Sequence, residues 1–214
     1  MHVTEQEQSQ INELVAEAEA KSGAQVLIAI VAKTDAYPEI PWKAFAIGAA
    51  VAALLVMMDA FYRQDWPSVH PGFEAAVVLG AGATLALLTV FAPPFARLFL
   101  HRLRAEAEVR QYAQAMFLER GVFQTRERVG VLLLISLFER EVVILPDVGV
   151  RRHLADAQIV TVIAPMRPLL ARQRIVAACA AGLTALAVVL QDKLLPPAAA
   201  GNELPDSVVQ ERGA

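Results

Sequence analysis

Apolar and polar positions along the chain change rhythm several times, and each change predicts an element. Thr4-Glu5-Gln6-Glu7 has the form of a capping box, in which the Thr4 hydroxyl and the Glu7 carboxylate serve orphan amides at a helix start. Ile11, Leu14, Val15 and Ala18 then recur at helical spacing until Ser22-Gly23 closes the helix. Val26 to Val31 is a short run of apolar and β-branched residues, as expected of a central strand covered on both faces. Asp35, Tyr37 and Pro38 mark its exit.

Two long apolar segments follow, Lys43 to Tyr62 and Ala75 to Ala96, joined by a short polar link. The second carries no charged side chain and is long enough to cross a hydrocarbon core of about 30 Å as a helix. The first has Asp59 near its outer end, so a buried helix of a soluble protein stays open for that segment. Gly80, Gly82 and Ala86 supply small residues for close helix contact. Pro93-Pro94 ends or kinks the second segment. Two crossings leave everything before and after them on one side of a membrane, so both flanks can pack into one domain.

From Arg97 to Arg120 the pattern is helical and charged, with Arg102–Glu106, Arg104–Glu108 and Glu106–Arg110 spaced for surface ion pairs. Leu103, Ala107, Met116 and Phe117 are expected on its core face, and Gly121 as its stop. Val131 to Leu137 and Val142 to Leu145 predict two strands joined by a tight turn at Phe138-Glu139-Arg140-Glu141. One helix is expected from about Asp147 to Ala164, and a last one from Leu169 to Leu190 after the breaks at Pro165 and Pro168. Its apolar run from Ile175 is short for a span, which favours a core helix and leaves a membrane role as the alternative. The resulting divisions are 1–42 and 97–195 as two parts of one domain, 43–96 as a transmembrane hairpin, and 196–214 as a disordered tail rich in Pro, Gly and charge.

Composition agrees with membrane segments: 56% of the residues are hydrophobic and the mean hydropathy is +0.45. The net charge of −3, with basic residues scattered, argues against a nucleic-acid partner. Cys179 sits in an apolar run with no intrachain partner, so it behaves as a small hydrophobe. The chain opens on a polar, helix-like segment, so no secretory leader is expected. Lys33 and Lys43 precede the first span and Arg97, Arg102 and Arg104 follow the second. The link carries Arg63 against Asp59, Asp65 and Glu74, which places the flanking halves in the cytoplasm by the positive-inside rule.

The stretch Gly130 to Arg140, continuing through Val142-Val143-Ile144-Leu145 to Asp147 and Gly149, resembles the TPM-domain family. Its bacterial members carry an apolar strand, a Ser-Leu, a Glu-Arg turn, a second apolar strand and Asp-x-Gly in that order. The polar helix ending in Ser22-Gly23-Ala24, the strand after it, and Asp35 and Tyr37 agree as well. The resemblance covers about residues 3 to 42 and 100 to 195, with the hairpin inserted after the first strand. It implies an α/β fold, an α/β/α sandwich with a small mixed sheet, interrupted here by a two-helix transmembrane hairpin, in a protein of a bacterial inner membrane. Family members include acid phosphatases, binders of a divalent cation such as Ca2+, and non-enzymatic partners of membrane complexes. In the metal-binding members acidic residues gather where the strands and the hairpin turn end, and Asp35, Glu139 and Asp147 fall at comparable places here. Two departures count against a calcium site: Phe138 stands where thylakoid-like members carry an acid, and Arg151 follows the Asp-x-Gly turn.

A hard cation takes six to eight oxygen ligands, usually several of them carboxylates. Against a metal role, Asp147 can cap the next helix, Glu139 can pair with Arg140 or Arg152, and Asp35 can close a turn. No P-loop or Gly-rich phosphate cradle is visible, Arg151-Arg152-His153 reads as a solvated helix face, and the four histidines lack ligand spacing. Ser136 lies within a strand with no His–Asp pair implied. The sequence therefore points to a membrane-anchored, non-enzymatic accessory or interaction module. Its expected partners are the lipid bilayer and a membrane protein, or further copies of itself held through the hairpin. The alternative is a weak metal-dependent acid phosphatase.

Overall fold

The chain folds into an α/β architecture whose sheet is built around the two runs that are apolar on both faces. A computed structural model describes residues 4–62, 70–191, 193, 204, 208–211 and 213. It divides into two units, one of residues 1–35 with 105–214 and the other of residues 36–104.

In the first unit α1 (Glu5–Ser22) starts at the expected capping box. The Glu7 amide donates to the Thr4 hydroxyl at 3.3 Å, and the Thr4 amide donates to the Glu7 carboxylate at 2.9 Å. Gly23, at a φ of 72°, closes it in the left-handed conformation that a Cβ disfavours. The Val26 amide then donates to the buried Glu19 carboxylate at 2.6 Å, tying the helix end to β1 (Gln25–Val31).

Four strands form one mixed sheet in the order β3-β2-β1-β4. β2 (Gly130–Ser136) runs parallel to β1, with Gln25 opposite Gly130 and Val31 opposite Ser136. β3 (Glu141–Pro146) returns antiparallel to β2. Every side chain of β1 and β2 is buried, whereas β3, at the edge, alternates between buried and half-buried. One sheet face packs Val26, Ile28, Ile30, Val131, Leu133 and Ile135 under α1 and the C-terminal helices. The other packs Leu27, Ala29, Val31, Leu132 and Leu134 against α5 (Arg102–Glu119). These two cores make the α/β/α layering.

The covered face of α5 is Ala105, Val109, Ala113 and Met116, a spacing of four, four and three. Met116 and the partly buried Phe117 lie where expected, but Leu103 and Ala107 are exposed because the apolar stripe runs through the alanines and Val109 instead. Gly121, at a φ of 63°, stops the helix as expected. The helix expected from Asp147 onward is two pieces, α6 (Val148–Arg151) and α7 (Asp156–Ile163), followed by α8 (Met166–Ala171) and α9 (Ile175–Leu190). α9 is a core helix, burying Ile175, Cys179, Leu183, Leu186 and Leu190 among others. Burial pushes the Cys179 thiol up to about 12, which leaves it protonated and inert.

The tail departs from the expected disorder at one place. Val209–Glu211 forms β4, which pairs parallel with β1 from Ala29 to Val31. The Glu211 carboxylate accepts from the Tyr112 hydroxyl and from Arg120 of α5, each at 2.6 Å, and these bonds hold so short a strand in place. Beyond Leu204, Val208 and Gly213, the rest of that expectation lies outside the described residues.

The second unit is a helical hairpin, α2 (Glu39–Tyr62) and α3 (Pro71–Phe91), both long and apolar enough to cross a membrane. Arg63 and Asp65 of the link lie outside the described residues. The helices touch through glycine. A Cβ on Gly82 would meet the Phe45 ring at 2.8 Å, and one on Gly48 would meet the Ala81 carbonyl oxygen at 2.9 Å. Gly80, expected in the same role, has nothing within 4 Å of where its Cβ would stand. After the break at Pro93 come a short α4 (Pro93–Ala96) and a 3-10 turn, Arg97–Phe99.

Candidate functional site

The sheet register decides where the three candidate carboxylates lie. β1 and β2 run the same way and finish together at Val31 and Ser136, so Asp35 and Glu139 follow that common end. β3 turns back and places Pro146 opposite Val131, so Asp147 leaves the sheet at the opposite end. A strand of this length separates the two ends by roughly 20 Å. The expected set Asp35, Glu139 and Asp147 is therefore not one site. Among the described residues no group of three or more His, Cys, Asp or Glu is placed to hold a metal ion.

At the end of the sheet near the β2–β3 turn, Glu139 is buried. Its carboxylate accepts from the Thr34 amide at 3.0 Å, from the Thr34 hydroxyl at 2.8 Å, and from the Ser136 hydroxyl. The turn needs a left-handed residue, Arg140 at a φ of 57°. Amides of Leu137 and Phe138 donate to the carbonyls of Val31 and Ala32, both at 3.0 Å, so the turn is stitched to the exit of β1. Lys33 lies over the Phe138 ring, 5.2 Å from its centroid, which gives Phe138 a structural use in the turn. Asp35 is partly buried beside this clamp. Ser136, with 1% exposure and its hydroxyl on Glu139, serves packing rather than nucleophilic attack.

At the other end Asp147 is 4% exposed and accepts from three donors. Arg128 supplies Nε at 2.7 Å and Nη2 at 3.1 Å in the bidentate geometry that suits a guanidinium, and the Val148 amide donates at 2.7 Å. The Asp147 carboxylate holds the Arg128 guanidinium still more firmly in its charged form. Gly149 is required here because a Cβ would stand 2.6 Å from the Glu127 and Arg128 carbonyl oxygens. The Asp-x-Gly motif is thus a helix cap and a close backbone approach. Arg151, Arg152 and His153 are exposed on and just after α6, as expected of a solvated face.

These residues do not fit a hard cation. Such an ion takes six to eight oxygens, and the two buried carboxylates already face protein donors at opposite ends of the sheet. A third engaged carboxylate, outside the sequence expectation, is Glu211 with Tyr112 and Arg120. The Tyr112 hydroxyl, and after it Arg120, hold the Glu211 carboxyl below the usual carboxylate range, while burial and Glu211 push the Tyr112 phenol upward. Its only sequence signal is a pair of valines in a polar tail. On the helical layer, α1 and α9 leave a groove of about 460 Å³, floored by Ala18, Leu183 and Ala187 and rimmed by Glu17, Lys21 and Gln191.

Residues 95–189, from α4 through α9, match the TPM domain family. The fold is shared with a solved protein: the NMR structure of BA42 protein from the psychrophilic bacterium Bizionia argentinensis superposes with a TM-score of 0.59. That likeness has 12% identity and covers 99% of this chain and 97% of the other. No curated protein matches the chain. The class defined by fold and match is a TPM-like α/β sandwich, and in this chain a long apolar hairpin lies between β1 and α5.

Proposed function

We propose that this is a membrane-anchored TPM-domain protein acting as a non-enzymatic accessory or interaction module for a membrane protein or complex. The observation that carries the reading is a contrast in how its side chains are engaged. The carboxylates that would build a catalytic or metal centre face internal donors, Thr34 and Ser136 for Glu139 and Arg128 for Asp147. The hairpin helices instead turn most of their apolar side chains outward, with only 17% and 11% of their most apolar windows buried. A core helix of a soluble protein would be mostly covered, so this exposure supports a bilayer around the hairpin. Two spans with the sandwich in the cytoplasm follow the charge bias of Lys33, Lys43, Arg97, Arg102 and Arg104. The α1–α9 groove, with Val188 67% exposed beside it, supports a helix layer used for binding.

The test is isolation of the tagged protein at native levels in mild detergent, beside a variant lacking residues 43–96. A membrane partner that stays with the full chain and is lost with the hairpin or with Val188→Asp, a change at the exposed edge of the groove, is the expected result. A full chain that elutes alone and hydrolyses a generic phosphate ester, with loss of activity in Asp147→Asn, would overturn the reading in favour of a phosphatase.

A further inference from the structure

β1 pairs with β2 along its whole length on one edge, and on the other it meets β4 only from Ala29 to Val31. A strand whose seven side chains are all buried is a template for further pairing wherever its edge is open. The C-terminal segment covers that edge by fitting a row of seats built by distant parts of the chain. The Leu204 amide donates to the Gln25 side-chain oxygen at 3.2 Å, and the Val208 amide to that of Asn12 at 3.3 Å. Val208 is buried in the core under α1 and α9, while Val209 packs into the core against α5, so successive side chains go to opposite faces of the sheet.

Glu211 falls on the Val209 side, where Tyr112 and Arg120 each donate to its carboxylate at 2.6 Å. The Ala32 amide donates to the Glu211 carbonyl at 3.1 Å. Gly213, at a φ of 73°, lies so close to the Lys33 carbonyl oxygen that a Cβ would overlap it. The edge therefore reads a segment by backbone pairing, by an apolar residue on each face, by an acid, and by a glycine two positions later. Strand-receiving sites recognise peptides in this way, with main-chain bonds for affinity and alternate side chains for selectivity.

Two features make the segment exchangeable. Its hold is light, three residues of strand and an ion pair whose side chains are 41% and 31% exposed. Its tether is long. α9 ends at Leu190 in the layer over the core that takes Val208, and packed layers are spaced on the order of 10 Å. Residues 191–203 reach at most roughly 45 Å when extended, which is ample to serve a neighbouring molecule.

We propose that the outer edge of β1 is a strand-receiving site for the C-terminal strand of a second copy of this chain. Two copies exchange strands reciprocally, β4 of each pairing with β1 of the other and Glu211 of each held by Tyr112 and Arg120 of the other. The second copy is selected because its strand carries the matching valines, acid and glycine, and the exchange remakes every contact of the closed form. Every seat lies within the unit of residues 1–35 and 105–214, so the proposal stands apart from the anchoring proposed above.

The experiment exchanges charge between full-length chains carrying two different tags, coexpressed and purified in mild detergent. In Arg120→Glu the seat repels every copy's unaltered strand, and in Glu211→Arg the strand is repelled by every unaltered seat. Only a mixed pair with exchanged strands restores opposite charges at both seats. Mixed pairs enriched on the order of tenfold over random pairing are expected. The chain carrying both changes should be depleted from mixed pairs with wild type, and serves as the control for folding because it closes the strand on itself. Wild-type copies should co-purify, and Gly213→Ala, which unseats the strand in either arrangement, should reduce this. Random pairing in the charge-exchange mixture, the result expected if copies meet only through the hairpin, would overturn the inference. Wild-type copies that co-purify no better than Gly213→Ala copies would overturn it as well.

Discussion

β1 and β2 are as apolar as α2 and α3, yet the two pairs sit in opposite surroundings. In the strands every side chain is buried against protein on both faces, while in the helices Leu54, Leu55, Phe61, Leu87 and Phe91 are each more than half exposed. Apolar composition is the same signal in both. What differs is the covering: α1, α5 and α9 pack over β1 and β2, whereas among the described residues α2 and α3 leave most of their apolar side chains exposed. Burial rather than hydropathy separates the two pairs.

The comparison breaks most visibly under truncation. Leu133→Ala in the sheet should cost the sandwich about 3 kcal/mol, because the cavity cannot collapse between two packed faces. Leu54→Ala in the hairpin should leave the same transition within about 0.5 kcal/mol. Urea unfolding of the two variants in mild detergent measures both, and equal losses would erase the distinction. Glycine sharpens it next. Gly82→Leu must displace Phe45 and should destabilise the hairpin by about 1–3 kcal/mol, whereas Gly80→Leu, with open space at its Cβ, should be silent. Thermal loss of helical signal in detergent reads this pair.

Smaller effects belong to the polar ties of the sandwich. Asp147→Asn weakens the Arg128 pair while the amide oxygen can still cap α6. With the Arg128 side chain half exposed the loss should be about 1 kcal/mol, read as a lower urea midpoint with an unchanged slope. A drop with altered calcium response would contradict the purely structural role given to Asp147. The smallest concerns β4. Because the folded state holds Glu211 below its ordinary value of 4.5, its contribution is present above that pH and is lost as the pH falls through the depressed folded value. Below that point the Ala32 amide, which donates to the Glu211 carbonyl at 3.1 Å, should exchange faster with solvent, by less than about 1 kcal/mol of protection. Glu211→Gln should remove the pH dependence.

Periodicity made most of the fold legible. The capping box, Gly23 and Gly121 as stops, the strand at Val26 and the Val131–Leu145 hairpin all stand within a residue or two of where local pattern put them. The first half of α5 departs in phase from the periodic expectation because its covered stripe there is built from alanine and Val109, and alanine gives a weak hydrophobic signal. β4 is three residues long and is specified by side-chain bonds from Glu211 to another element, which no local pattern contains. The candidate site failed for a simpler reason. The β2–β3 hairpin already implies that its turn and its far terminus lie a strand length apart, so Glu139 and Asp147 could have been separated by counting residues. Their true partners, Thr34 and Arg128, are long-range or pre-strand neighbours that spacing alone does not join.

The bond between Thr34 and Glu139 spans 105 positions of sequence, and most of that interval is the hairpin. β1 therefore leaves the ribosome well before its partner β2, with α2 and α3 made in between. The sheet can close only after both long apolar helices have been synthesised, so β1 waits unpaired through that interval and the sandwich is a late event in the life of the chain.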